Sequence, residues 1–150
     1  MKHVLLIGLV AAALAVMAGS ATAAVRSQAR AATVATGRTN LGRIIVDGRG
    51  RSLYLFEKDT RRRSACSGVC AAYWPPLLTN GKPAAIKGAK QSLIGTIRRA
   101  NGKRQVTYAG HPLYFYAGDT KRGQTNGQGL TDFGAGWDAL RASGQKIESD

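Results

Sequence analysis

The sequence predicts a mainly β domain: two pseudo-symmetric repeat units with antiparallel hairpins sharing one core, and little helix. Three observations carry that expectation. The phrase "RSLYLFEKDT" (Arg51 to Thr60) returns sixty residues later as "HPLYFYAGDT" (His111 to Thr120). Strand-like runs broken by glycine-containing turns fill both copies. Helical periodicity is weak, with a single short turn expected near Ala71 to Trp74.

At the start, Lys2 and His3 precede an apolar run from Val4 to about Ala18, and Gly19-Ser20-Ala21-Thr22-Ala23 follows with small residues. Residues 1–23 therefore read as an export signal. The run is about 15 residues, shorter than the ~20 of a spanning helix, which favours cleavage over an uncleaved anchor. No lipid-anchoring cysteine follows, and no transmembrane segment is expected after signal cleavage. Residues 24–40, rich in Ala, Thr, Ser and Arg, read as a flexible lead-in, and residues 143–150 as a similar tail. Between them, residues 41–142 are expected to form one β-rich domain of two repeats, about 43–78 and 102–140.

Within that domain "RIIV", "DGRGR" and "SLYLFE" read as strand, turn and strand, and "RQVTY", "AGHP" and "LYFY" repeat the pattern. A further hairpin is expected where "SLIGTIRR" and "RQVTY" flank "ANGK". Strand alternation puts Tyr54 and Phe56 on one face and Leu53 and Leu55 on the other, with Tyr114 and Tyr116 repeating the arrangement. Apolar residues on both faces predict strands buried on both sides.

Comparing each residue from Val46 to Arg62 with the one sixty positions on gives seven identities in seventeen positions, including Val46/Val106, Tyr54/Tyr114 and Asp59/Asp119. Unrelated stretches share about one. Trp74-x-x-Leu77 is answered by Trp137-x-x-Leu140 at an offset of 63. Together with "CSGVCAAYWPPL", "QVTYAGHPLY" and "GQGLTDFGAGW", these motifs resemble the secreted-repeat family of unknown function. That family carries a Tyr-x4-Asp motif and often occurs in bacterial lipoproteins. The resemblance covers most of residues 43–140 and implies an envelope or extracellular protein of two units, with no activity to carry over. Lacking a lipidation cysteine, this chain is expected to be secreted or periplasmic rather than tethered.

Without the signal, 21 Lys and Arg face 8 Asp and Glu, a net charge of about +13. That balance points to anionic partners, an envelope polymer or a lipid surface. Arg61-Arg62-Arg63 is the densest basic run, but no aromatic residue interleaves it and no nucleic-acid motif accompanies it, so no specific nucleic-acid partner is expected.

Cys66 and Cys70 are the only cysteines, and in an oxidising compartment a disulfide is expected, with Gly68 easing the loop between them. The alternative is an extracytoplasmic copper or thiol-redox site using Cys66, Cys70 and His111, since thiolates and imidazole suit a soft ion. Otherwise no cofactor is expected. A hydrolase would need His111, the only histidine after the signal, and no G-x-S-x-G motif is present. Asp59 and Asp119 could be paired as acid and base, but equivalent repeat positions give no reason for their pKa values to diverge. Catalytic residues are therefore assigned to none. Tyr54 and Tyr114 are expected to bury their rings and pass their hydroxyls to Asp59 and Asp119, within a repeat or across the pair, around a core closed by Trp74 and Trp137.

Overall fold

The structure is a computed structural model and describes residues 30–149. The expected signal peptide, residues 1–23, lies outside them, as do residues 24–29 of the lead-in. The described chain is mainly β: β1 (Thr33–Thr39), β2 (Gly42–Asp47), β3 (Tyr54–Phe56), β4 (Ala84–Ala85), β5 (Ile94–Arg98), β6 (Arg104–Tyr108), β7 (His111–Pro112) and β8 (Trp137–Ala139), with one α-helix, α1 (Val69–Tyr73). Three small sheets result, ordered β2-β1-β4, β3-β8 and β5-β6-β7.

β1 corrects the expected lead-in, because residues 33–39 are paired strand rather than loose chain. Val34 and Ala35 are buried, and β1 runs antiparallel to β2 from Val34↔Asp47 to Thr39↔Gly42. Gly37 allows the close approach, since a Cβ there would meet Val46 Cγ1 at 3.0 Å. The order of this strand comes from its neighbour more than from its own small side chains. The expected tail is likewise packed as far as it is described: Ile147 is buried, its N–H donates to Ala139 O (2.8 Å), and Leu140 bridges to Lys146.

The hairpins β1–β2 and β5–β6 are the same element written twice, but β2 matches β6 at an offset of 61, not 60. Two residues separate Thr39 from Gly42, whereas the second turn is one residue longer, closed by Arg99 N–H on Lys103 O (2.8 Å). The following turn reverses the difference, with Asp47 N–H donating to Arg51 O (2.9 Å) in the first copy and Tyr108 directly opposite His111 in the second. Equivalent bonds fix this register. Ile45 N–H donates to Leu140 O (2.8 Å) and Val106 N–H to Leu77 O (2.9 Å). The Val46/Val106 identity is therefore not a structural equivalence; Val106 stands where Ile45 does. A one-residue slip exchanges the two faces of a strand, so the distinction decides which core each residue enters.

There are two core layers. Ile45, Leu53, Leu55, Leu77, Val106, Leu113 and Leu140, with the ring of Tyr108 among them, form a largely aliphatic cluster. Ile44, Val46, Tyr54, Phe56, Trp74, Tyr114 and Trp137 form an aromatic one on the opposite face. Leu53 and Leu55 point into the first and Tyr54 and Phe56 into the second, as period-2 alternation requires.

The repeats interlock. β3 pairs with β8 of the second repeat, Tyr54 opposite Ala139 and Phe56 opposite Trp137. In return Tyr114 bridges Pro76, and Phe115 N–H donates to Pro75 O (2.8 Å). At the centre Tyr54 and Tyr114 exchange both backbone bonds, at 2.8 and 3.0 Å. Trp74 and Trp137 stack face to face at 3.8 Å, and each tyrosine meets the tryptophan of its own repeat edge-on, Tyr54–Trp74 at 5.5 Å and Tyr114–Trp137 at 5.2 Å. The contacts related by the repeat thus come in matched pairs about this centre.

Candidate functional site

Tyr54 and Tyr114 are fully buried, and their hydroxyls cross the centre. Tyr54 Oη donates to Asp119 Oδ2 at 2.6 Å and Tyr114 Oη to Asp59 Oδ2 at 2.7 Å. Each aspartate therefore serves the tyrosine of the other repeat. Backbone turns aim the carboxylates: Asp59 N–H donates to Phe56 O and Asp119 N–H to Tyr116 O, both at 3.0 Å. The second oxygen of each also has a partner, Asp59 Oδ1 accepting from Ala65 N–H (2.6 Å) and Asp119 Oδ1 from Asn126 N–H (2.9 Å). Burial pushes both phenols well above the ordinary tyrosine value, and the neighbouring carboxylate adds to the rise. Burial also raises Asp59, against the lowering effect of its hydrogen bonds and of Arg99.

The two sides of the centre differ. Beside Tyr114, its Oη and Ser64 Oγ lie 2.6 Å apart, and Arg99 donates to Ser64 Oγ (2.9 Å), Gln105 Oε1 (2.6 Å) and the Cys66 carbonyl. Gln105 takes the place that Ile44 holds in the first repeat and is fully buried, its Nε2 donating to Leu113 O at 2.9 Å. Sequence reasoning missed this buried Arg99–Gln105–Ser64 network. The only signal was the polar Gln105 where a strand interior called for an apolar residue.

Cys66 and Cys70 are joined by a disulfide with Cα atoms 5.2 Å apart. Their Cα separation matches ordinary bridge geometry, and Gly68 between them has φ +58°. Bonded to each other, the sulfurs have no thiolate to offer a metal in this state. Among the described residues no group of three or more His, Cys, Asp and Glu side chains is placed to hold a metal ion.

A cleft of about 890 Å³ is lined by Glu57, Asp59, His111, Lys146 and Glu148, with Leu55 and Phe56 at its apolar side. Asp119 does not line it, so the two motif aspartates do not face one another across a common opening. His111 is held below its ordinary pKa by burial and by Arg61, and so is neutral at pH 7. Glu57 is lowered by its bond to Lys146, which lies 2.5 Å away. Every acidic group in this cleft thus either has a fixed partner or sits against Lys146.

These features define a two-repeat β module whose halves exchange strands and side chains. The chain belongs to the family described as a secreted repeat of unknown function, which matches residues 35–78 and 95–141, more than half of its length, as two repeats. Its setting is therefore extracellular or in the cell envelope. No helix among the described residues is long and apolar enough to cross a membrane. Comparison with curated proteins and with solved structures found no match.

Proposed function

We propose that the protein is a non-enzymatic module of the envelope or extracellular space that binds an anionic envelope component through its basic surface. One observation carries the reading: its carboxylates are spent internally while its cations are not. Asp47 Oδ1 accepts two backbone N–H bonds, Asp59 and Asp119 hold the tyrosines, and Glu57, Asp138 and Glu148 all pair with Lys146. Of the described carboxylates only Asp132 lies outside these arrangements.

Apart from buried Arg99 and half-buried Arg51 and Lys146, every described Lys and Arg is exposed. Among the described residues all ion pairs belong to Lys146. A surface so unbalanced attracts counter-charge over a Debye length of about 8 Å at physiological salt. Co-sedimentation with phosphatidylglycerol vesicles and with an anionic cell-wall polymer tests the reading. Binding is expected to weaken by about tenfold or more between ~50 and ~200 mM salt. Binding to neither probe, or binding indifferent to salt, would overturn it.

A further inference from the structure

Part of that basic surface is concave. The segment after Leu77 runs beside β6, with Leu78 bridged to Gln105 and Thr79 N–H donating to Arg104 O at 3.0 Å. On its other side Ala32 N–H donates to Thr79 Oγ1, also at 3.0 Å. Three neighbouring hollows, of about 400, 300 and 210 Å³, open along these segments: the first extends to the turn at Asp47–Arg49, and the third to Lys82, Pro83 and the start of β5. Arg30 and Leu78 line both the first and the second, and Arg104 lines both the second and the third, so the hollows follow one another along one face as a segmented groove.

The cations along it are Arg49, Arg30, Lys103, Arg104 and Lys82. The only carboxylate in its lining is Asp47, whose Oδ1 is already taken by the N–H groups of Arg49 and Arg51. Arg104 directs one N–H to Thr96 Oγ1 (3.1 Å) and keeps its other donors. Leu78, 37 % exposed, is the apolar contact midway along.

We infer that this groove is a binding track for a linear phosphate polymer. The inference rests on the basic-surface reading above and gives that reading a site. Cations strung along a channel match charges repeating along a flexible chain, and guanidinium groups bind phosphate oxygens in pairs. A flat bilayer meets the rim of a groove and not its floor. Single-stranded nucleic acid has the right backbone, but its binders supply aromatic platforms for the bases, and no aromatic residue lines these hollows.

The test uses inorganic polyphosphate as the probe, the full-length protein, and two triple variants of equal charge change. One removes groove cations (Arg30→Gln, Lys103→Gln, Arg104→Gln). The other removes the exposed run Arg61→Gln, Arg62→Gln, Arg63→Gln. The groove variant is expected to lose about tenfold or more in affinity and to flatten the salt dependence by about one unit of slope per cation removed. The control is expected to lose less than about threefold.

Equal losses in both variants would overturn the groove while leaving the general surface reading intact. No binding by the unaltered protein to polyphosphate, vesicles or wall polymer would overturn both. Displacement of polyphosphate by oligothymidylate or by phosphatidylglycerol vesicles at equal phosphate would also overturn the groove assignment, in favour of nucleic acid or of lipid respectively. Should the groove triple variant melt lower than the parent, the pair Arg49→Gln, Lys82→Gln at the two ends, set against the pair Arg61→Gln, Arg62→Gln, provides the same comparison at equal charge change.

Discussion

Tyr54 sits where no solvent can replace the proton it donates, since both it and Asp119 are buried. Tyr54→Phe leaves Asp119 Oδ2 without that donor, and a loss of about 1–3 kcal/mol is expected, read as a lowered melting temperature. Tyr114→Phe should cost less, because Asp59 is only half-buried and water can reach it. An unchanged melting temperature in Tyr54→Phe would remove the structural role.

The same two phenols make the fold sensitive to alkali. Their folded pKa values lie above the ordinary value of 10.0, so the stability they contribute is complete below pH 10 and is lost as pH rises beyond it. Each is expected to take away about 1.4 kcal/mol per pH unit in that window. Phenolate absorbance from these two should therefore appear together with unfolding, not before it. The motif residues were legible in the sequence because they are repeated. Arg99 was not, because its burial depends on Ser64 and Gln105, which only the fold brings to it.

Among the elements, α1 is a five-residue helix held at one end by the Cys66–Cys70 bridge and by the Arg99 bond to the Cys66 carbonyl. Closing so short a loop stabilises by about 2 kcal/mol in the chain-entropy account. Cys66→Ser with Cys70→Ser is expected to lower stability by about that amount while leaving the β-sheet circular dichroism in place. Complete unfolding at room temperature would show that the bridge holds far more than its own loop.

The strand missed at this scale, β1, was available from the repeat itself. The offset of 60 that relates Tyr54 to Tyr114 also relates Thr36 to Thr96 and Arg38 to Arg98, both identical. Its composition concealed it, since alanine, threonine and glycine serve a paired strand and a loose linker alike. The register of β2 against β6 was hidden for a different reason. The two compensating turn lengths cancel outside the strand and leave a shifted identity within it.

For the whole molecule, the exchange between halves means that neither repeat contains all of its own partners. β3 has its β8 in the other repeat, and each motif tyrosine has its aspartate there. Residues 24–90 expressed alone are therefore expected to show no cooperative melt as a monomer, whereas the full chain melts in one transition. A folded monomeric half, seen by circular dichroism with sedimentation, would contradict the interlock. Duplication and β class were readable from sequence. That the duplicated parts cross over was not, because identities between copies are the same whether each pairs with itself or with its twin.

The chain has two tryptophans, and they lie face to face at the seam between the repeats. Tryptophan emission, excited apart from that of the tyrosines, is consequently an optical gauge of that seam without any attached dye. Parting of the indoles into solvent would shift their emission to the red, so a spectrum taken during any binding or unfolding experiment reports directly whether the two halves are still joined.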